Sequence, residues 1–213
     1  DAVLHAAGRV SSGPASAFAR DNADATGEVA RAALAAGIRM VHVSTTAVYG
    51  PRAAGRGPVR EDAPLGYRVD ARDRYATSKI DAELRLRVFD GLDVAVIRPG
   101  LILGPGGRST ARLRALARGG VVPLIGRGDN RLPITHVASV VDAILRAAEV
   151  PEARGQAFQI AGDWPLTQRG LYLALAAGRR PPRFVPLPYP AALAAGLVAQ
   201  IASAGHPLPW SRS

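Results

Sequence analysis

A tyrosine and a lysine stand four residues apart in the segment RYATSKI, residues 74–80. The lysine is unusual, because the other 26 of the 27 basic residues are arginines. On a helix this spacing places Tyr75 and Lys79 on one face. A tyrosine with an ordinary pKa of about 10 is a poor base at neutral pH. We expect an ammonium about 4 Å away to favour the phenolate by about 4 kcal/mol at an effective dielectric of about 20. This corresponds to a pKa lower by about 3, before desolvation of the phenol opposes the shift.

A phenol of this kind could exchange a proton with a hydroxyl or carbonyl group of a substrate. The compact ammonium of Lys79 can also donate to two sugar hydroxyls, a task that a planar guanidinium fits poorly. Three further hydroxyls, those of Ser44, Thr45 and Thr46, follow an apolar segment about 30 positions earlier. We expect Thr45 to hold a substrate oxygen next to the phenol.

The surrounding segments alternate between strand-like and helix-like patterns. Apolar runs predict buried strands at 2–7, 38–44 and 92–100, and alanine-rich or amphipathic spacing predicts helices at 15–36 and 74–90. Residues 50–73 hold glycines, prolines and charges without periodicity and are predicted to form a loop. The βαβαβ order indicates an α/β protein with a parallel sheet covered on both faces. Ligands of such sheets bind at the carboxyl ends of the strands, where the hydroxyl cluster lies.

The second half of the chain is less regular. Its pattern predicts a strand at 156–162 and helices at 110–120, 137–150, 166–178 (with Thr167 as N-cap) and 191–204. The prolines of 181–190 predict a linker-like bend. We expect residues 1–110 and 137–162 to form a dinucleotide-binding domain, and residues 111–136 and 163–213 to form a small substrate-binding lobe.

Composition excludes several classes of site. The 213 residues include no cysteine, so disulfides and thiolate metal sites are excluded, and the four dispersed histidines suggest no metal site. No apolar run is long enough to span a bilayer, and we expect a cytoplasmic protein. The net charge of +10 invites a nucleic-acid partner, but the arginines are scattered and aromatic residues make up 5%. Specific nucleic-acid binding is therefore not expected.

Five segments together resemble one family of enzymes. These are DAVLHAAG, VHVSTTAVYG, YATSK, VIRPGLILGPGG and LPITHVASVVDAI, in this order. They are similar to the extended short-chain dehydrogenases/reductases, also described as NAD-dependent epimerase/dehydratase proteins. The resemblance implies a Rossmann fold, NAD or NADP as cofactor, and hydride transfer at the nicotinamide. It assigns acid/base chemistry to Tyr75, ribose binding to Lys79 and the Ser/Thr role to Thr45, and it implies that the cofactor is lined by Ala7, Gly8, Ser44, Tyr75, Lys79, Pro99, Leu101 and Ile102.

The chain departs from the family at its start. The family begins with a strand, a GxxGxxG loop and a helix, and this βαβαβα portion of roughly 60 residues is not found here. The glycines of GLILGPGG follow a different strand, and we interpret that segment as a loop. We therefore expect a fragment that binds dinucleotide weakly and exposes the edge of the strand at 2–7.

The subtype is decided by a few positions. Thr46-Ala47 stands where the dehydratases of the family place Asp-Glu, and Leu101 stands where its epimerases place Asn. The segment RPGLILGPG resembles the 3β-hydroxysteroid dehydrogenase branch, and Leu101, Ile102 and Leu103 suit an apolar substrate. Arg131 resembles an arginine that holds phosphate in members acting on sugar nucleotides.

We therefore predict an oxidoreductase that interconverts a secondary alcohol and a ketone, with Thr46, Leu103 and Arg131 as candidate substrate contacts. An epimerase of nucleotide sugars and a non-catalytic dinucleotide-binding protein are the alternatives. The resemblance also implies a homodimer that forms through the helices at 15–36 and 74–90.

Overall fold

The protein is described by a computed structural model that covers residues 1–10, 13–50, 58–66, 69–162, 166–176, 178, 180–188 and 190–191. The chain divides into two compact units. The first unit comprises Asp1–Gly100 and Val137–Ala161, and the second comprises Leu101–His136 and Gly162–Ser213.

Strands and helices alternate through most of the chain. The strands are β1 (Ala2–His5), β2 (Arg39–Val43), β3 (Val94–Pro99), β4 (Leu101–Leu103), β5 (Val121–Ile125), β6 (Arg131–Leu132), β7 (Ile134–His136), β8 (Ala157–Ile160), β9 (Leu166–Thr167) and β10 (Arg183–Leu187). The α-helices are α1 (Ala15–Phe18), α2 (Ala25–Ala36), α3 (Arg74–Leu86), α4 (Arg108–Arg118), α5 (Val137–Glu149) and α6 (Gln168–Leu175). A π-helical turn spans Ala19–Asp24, and 3₁₀ turns span Thr46–Tyr49 and Pro151–Ala153.

The first unit is built on a parallel sheet of order β1-β2-β3-β8. Successive side chains of β2 point to opposite faces of the sheet. Met40 packs in a buried cluster with Leu86 of α3, whereas Val41 packs in another with Ala147 of α5. Helices thus cover both faces, and the predicted Rossmann-type α/β fold is confirmed.

The described part of the second unit contains short two-stranded sheets and the helices α4 and α6. β5 pairs with β10 and β4 with β7 in parallel, while β6 and β9 are antiparallel. Its core includes Val122 and Leu124 of β5, Ala117 of α4 and Tyr172 of α6.

Helix boundaries follow local signals in the sequence. Helix α2 ends at Gly37, whose φ of 63° suits glycine, as the sequence predicts. Thr167 caps α6 by accepting a hydrogen bond from the backbone N–H of Gly170 at 3.0 Å, again as predicted. The helix predicted at 15–36 is regular except at the π-helical turn. None of the helices among the described residues is long and apolar enough to cross a membrane.

Two predictions for the second unit are wrong. The proline-rich stretch at 181–190 contains strand β10, which tolerates Pro186 because a strand paired on one side can leave that position without an N–H donor. The segment GLILGPGG is not wholly a loop, since Leu101–Leu103 forms β4 against β7. Most of the helix predicted at 191–204 lies outside the described residues.

Candidate active site

The hydroxyl cluster lies at the carboxyl end of β2. The N–H of Ser44 donates to the carbonyl of Ile97 at 2.7 Å, so pairing with β3 continues one residue beyond the strand. Thr45 then caps the 3₁₀ turn, because its hydroxyl oxygen accepts from the N–H of Ala47 at 3.2 Å. With its oxygen engaged in this way, the O–H of Thr45 is free to donate toward the sheet edge. Thr46, the first residue of the turn, is half-buried.

Helix α3 brings the tyrosine and lysine to the same place. Asp73 caps the helix by accepting from the N–H of Ala76 at 3.0 Å, which sets the helix to begin at Arg74. Tyr75 and Lys79 therefore lie in its first two turns. The phenol of Tyr75 lies near the hydroxyl of Thr45, which lowers the pKa of the phenol. The ammonium of Lys79 is buried and donates to the carbonyl of Val43 at 2.8 Å.

The expected lowering of the tyrosine pKa is wrong for this structure. Burial raises the pKa of Tyr75 above its usual value, and the hydroxyl of Thr45 opposes the rise without cancelling it. The ammonium that was expected to favour the phenolate instead faces the carbonyl of Val43. Burial also lowers the pKa of Lys79 to about 8, although the nearby carboxylate of Glu83 opposes this shift.

The loop after β1 approaches this pair closely. The side chain of Asn22, which is fully buried in the π-helical turn, accepts from the N–H of Arg9 and donates to the Arg9 carbonyl at 3.0 Å and to Ser78 Oγ at 2.8 Å. A Cβ on Gly8 would lie 3.0 Å from Asn22 Oδ1 and 3.4 Å from Lys79 Nζ. The absence of a side chain at Gly8 therefore keeps the space beside the ammonium open.

A buried ion pair connects the elements of the site, and sequence reasoning did not find it. Arg98 of β3 donates to both carboxylate oxygens of Glu83 on α3, at 3.1 and 2.7 Å. Ser44 Oγ donates to the same carboxylate at 2.5 Å. The guanidinium also donates to the hydroxyl of Tyr49 at 2.5 Å and to the carbonyl of Glu61 at 2.9 Å. The sequence signal for this pair was the position of Glu83, one helical turn after Lys79.

Two histidine side chains lie next to each other on one face of the sheet. His5 and His42 are paired residues of β1 and β2, and their rings stack with centroids 5.4 Å apart. Thr26 donates its single hydroxyl proton to the carbonyl of Asn22, so His5 Nε2 must donate to Thr26 Oγ1 at 3.0 Å. Both ring nitrogens of His42 are buried without a hydrogen-bond partner among the described residues. Dispersed in sequence, these histidines are neighbours in the fold.

The remaining predicted residues are divided between the units. Ala7 and Gly8 are exposed after β1, and Pro99 is buried at the end of β3. Leu101 and Leu103 of β4 are half-buried, and Ile102 is exposed. Arg131, the first residue of β6, is exposed. Leu101, Ile102, Leu103 and Arg131 belong to the second unit. The structure brings together Ser44, Thr45, Tyr75, Lys79 and Gly8. The predicted ligand contacts of β4 and Arg131 stay predictions.

Comparisons with known proteins match the fold and the segments of the site. Residues 1–161 match the NAD dependent epimerase/dehydratase family. A "Ceramide reductase" of Caulobacter vibrioides (strain NA1000 / CB15N) is 27% identical over 205 residues, which are 92% of this chain and 56% of that protein. The chain thus spans little more than half the length of this relative.

Solved structures are similar as well. DesIV, a dTDP-glucose 4,6-dehydratase from Streptomyces venezuelae solved with NAD and TYD bound, is 29% identical with a TM-score of 0.65, over 87% of this chain and 61% of DesIV. RMD from Pseudomonas aeruginosa, solved with NADPH, is 25% identical with a TM-score of 0.69, over 89% of this chain and 70% of RMD.

The buried ion pair predicts a large effect of one substitution. Glu83→Gln removes the charge that compensates Arg98, and we expect it to lower the free energy of unfolding by about 3 kcal/mol, as for other broken buried pairs. Urea denaturation would measure the loss. Asp81→Asn is the control, because it removes the same charge from an exposed position of α3. A Glu83→Gln variant as stable as Asp81→Asn would contradict a structural role for the pair.

The histidine pair predicts how stability depends on pH. Burial and the charge of Lys79 lower the pKa of His5, and burial, Lys79 and His5 lower that of His42 well below its usual value. Below about pH 6.5 the unfolded chain therefore binds protons that the folded chain refuses, and stability falls as the pH falls. We expect His42 to contribute about 1.4 kcal/mol per pH unit of this loss.

Urea denaturation at several pH values between about 7 and 5 would measure how the free energy of unfolding changes with pH. His42→Leu should reduce this slope by about 1.4 kcal/mol per pH unit. His136→Gln, a substitution of an exposed histidine, should leave the slope unchanged. Equal slopes for the parent and His42→Leu would mean that His42 is not held neutral.

Proposed function

Since the chain belongs to the NAD dependent epimerase/dehydratase family, we propose that it is part of an NAD(P)-dependent oxidoreductase that interconverts a ketone and a secondary alcohol. The observation that carries this proposal is that Thr45 at the end of β2 lies near Tyr75, with the ammonium of Lys79 one turn along the same helix. Three groups that can handle a carbonyl oxygen, its proton and a sugar hydroxyl thus lie at one strand end.

The residues present fit the ribose side of a nicotinamide dinucleotide. Lys79 has three N–H donors, and the hydrogen bonds of the described residues use one of them, to Val43. Two donors remain for the hydroxyls of a ribose. Gly8 leaves the adjacent space open, since a Cβ there would lie 3.4 Å from the same nitrogen. RMD and DesIV are solved with NADPH and NAD, and either cofactor would suit this arrangement.

The chemistry of the reduction divides between cofactor and protein. The nicotinamide, when bound, supplies the hydride that reaches the carbonyl carbon. Tyr75 gives its hydroxyl proton to the carbonyl oxygen, and the O–H of Thr45 donates a hydrogen bond to the same oxygen, so the alcohol product receives one hydride and one proton. The ammonium of Lys79, which already donates to the carbonyl of Val43, would hold the ribose hydroxyls of the cofactor.

The protonated phenol of Tyr75 is the form that ketone reduction requires. A phenol that burial keeps protonated is prepared to act as an acid, which is what a ketone requires. Oxidation of an alcohol would need the phenolate first. The pKa of Lys79, about 8, keeps most of the ammonium charged at neutral pH, so that it can donate to ribose hydroxyls.

We further propose that the substrate is lipid-like. The ceramide reductase aligns with 92% of this chain, and its name describes reduction of a lipid. Strand β4 is apolar throughout, with Leu101, Ile102 and Leu103, and Ile102 is 37% exposed. A long-chain ketone of the ceramide type is therefore the first substrate to test.

A nucleotide-sugar epimerase is the second candidate. Its support is Arg131, exposed on β6, together with the similarity to DesIV, an enzyme named for dTDP-glucose. Conversion of a nucleotide sugar without net consumption of cofactor would favour it. A non-catalytic dinucleotide-binding role would be favoured if no hydride exchange occurred. The homodimer through α2 and α3 and the cytoplasmic location stay predictions.

The proposal predicts the effects of two substitutions in the full-length protein. Tyr75→Phe removes the proton donor, and we expect ketone reduction to slow by about 10²-fold to 10⁴-fold while cofactor affinity changes little. Lys79→Arg keeps the charge but replaces a compact donor in a tight space, and it should weaken cofactor binding as well as turnover. Oxidation of NADH or NADPH with a long-chain ketone would measure turnover, and cofactor fluorescence would measure binding.

A control is available in the second unit. Tyr172→Phe removes the same hydroxyl from another buried tyrosine and should leave turnover within about twofold, as expected of a group that makes no contact with the reacting atoms. Turnover by Tyr75→Phe at the rate of this control would refute the assignment of Tyr75 as the acid.

A further inference from the structure

A cavity lies near the carboxyl ends of the paired strands β5 and β10, within the second unit. Its volume is about 160 Å³, and it is lined by Leu124, Arg127, Asp129, Arg169, Phe184 and Pro186. Leu124 and Pro186 are pairing partners on the two strands, and Arg169 belongs to the first turn of α6. Because an apolar cavity of about 150 Å³ can hold benzene, this space fits a ligand body of that size.

The cavity is separate from the groups to which a role has been assigned. Leu124 belongs to the buried cluster of Ala117 and Tyr172, so the cavity adjoins the face of β5 that α4 and α6 cover. The neighbouring Ile125 points to the opposite face of the strand. Arg131, the residue assigned to phosphate in the second candidate function, does not line the cavity. The residues proposed for the reduction belong to the first unit.

Backbone hydrogen bonds fix the wall of the cavity. The N–H of Gln168 donates to the carbonyl of Asn130, and the N–H of Arg169 donates to the carbonyl of Gly128, both at 3.0 Å. These bonds join the turn after β5 to the start of α6. Gly128 has a φ of 78°, and a Cβ there would lie 2.6 Å from Leu124 Cδ1, so the turn packs directly on the cavity wall. The segments that carry the two arginines are thus held in place before any ligand binds.

The two guanidinium groups that line the cavity have unused hydrogen-bond donors. Arg169 lies over the ring of Phe184, with its Cζ 4.9 Å from the ring centroid. Within the part of the chain that the structure describes, its guanidinium takes part in no hydrogen bond or ion pair. Arg127 pairs with Asp129 at 3.7 Å, which is too long for a hydrogen bond. Since each guanidinium has five N–H donors, both can bind a further acceptor.

The charges around the cavity favour an anion with one negative charge. Two arginines and one aspartate give the lining a net charge of +1. The second unit as a whole has eleven arginines and two aspartates, a net charge of +9, so its field attracts anions. A carboxylate matches the lining and can bind a guanidinium through both oxygens. A phosphate dianion would be repelled more strongly by the carboxylate of Asp129.

We propose that this cavity binds a small organic carboxylate whose apolar body is about the size of a benzene ring. The carboxylate accepts hydrogen bonds from Arg127 and Arg169. The apolar body contacts Leu124, Phe184 and Pro186, which supply the apolar part of the lining. This site goes beyond the proposed function and does not rest on it, because neither cofactor nor ketone takes part in the binding.

Titration of the full-length protein with sodium benzoate tests the proposal without cofactor or substrate. The NMR signals of the benzoate ring would report binding through their broadening. We expect saturable binding with a Kd of about 1 mM, which is reasonable for so small a ligand. Benzamide keeps the apolar body but has no charge, and it should bind about tenfold more weakly or less tightly still, because the charge-assisted hydrogen bonds are lost.

Substitutions of the two arginines locate the binding. Arg169→Gln and Arg127→Gln each remove one guanidinium, and each should weaken benzoate binding by about tenfold or more. Arg183→Gln is the matched control, because it removes the same charge from an exposed position of β10 that does not line the cavity. It should change the affinity by less than about twofold, since an exposed charge outside the site is screened by solvent and salt.

Three outcomes would overturn the site: no saturable binding up to about 20 mM benzoate, equal affinities for benzoate and benzamide, or equal losses in the cavity variants and Arg183→Gln. Displacement of benzoate by an equal concentration of inorganic phosphate would overturn the ligand class, since it would show that the apolar lining contributes nothing. Thermal unfolding at the parent temperature verifies that each variant is folded. Arg127→Gln keeps the test decisive should Arg169→Gln unfold, because the side chain of Arg127 is 92% exposed. Failure of the proposed function is separable, because it would show as absent ketone reduction while benzoate binding persists.

Discussion

The ion pair between Glu83 and Arg98 is the contact on which the candidate site depends. Through it, helix α3 is joined to strand β3, and Ser44 joins the end of β2 to the same carboxylate. The other side of the guanidinium holds Tyr49 and the carbonyl of Glu61. These contacts of Glu83 and Arg98 consequently fix the Thr45 hydroxyl relative to the first turns of α3. Because the pair is buried, its charges interact strongly, and loss of either partner would leave the other uncompensated.

The same buried region contains more positive than negative charge. Arg98 and Lys79 lie near one carboxylate, that of Glu83, and two histidines stack beside the lysine. Such an arrangement is tolerated because the histidines give up their charge and the pKa of Lys79 falls to about 8. Because two cations remain beside one carboxylate, the region gains from a ligand that brings negative charge or hydrogen-bond acceptors to Lys79. The electrostatics of the region thus favour occupation by a phosphate- and ribose-bearing ligand.

Local patterns in the sequence predicted the elements that have strong local causes. The parallel sheet followed from continuous apolar runs, and Gly37 and Thr167 marked helix ends through their own backbone and side-chain chemistry. Strand β10 was missed because its prolines argue against a strand unless it is known to pair on one side, and that depends on β5, about sixty residues earlier. The ion pair and the stacked histidines were missed for a similar reason, since the sequence separations of 15 and 37 residues carry no periodic signal. The direction of the Tyr75 pKa was wrong because helix spacing reveals neither how far the phenol is buried, which raises its pKa, nor which acceptor the lysine ammonium faces.

The retention of one lysine in a chain of 26 arginines follows from the space around Nζ. The ammonium lies within hydrogen-bond distance of the Val43 carbonyl, and the position of a Cβ on Gly8 would be only 3.4 Å away. A guanidinium is broader and planar, carries five donors in a fixed fork, and cannot lose its proton. At this position it would occupy the space that Gly8 leaves beside Nζ and bring further donors into a buried region that already holds Arg98. On exposed surfaces such as α4 no such constraint acts, and arginine serves at every basic position. The single lysine therefore marks the place where geometry, rather than charge alone, selects the residue.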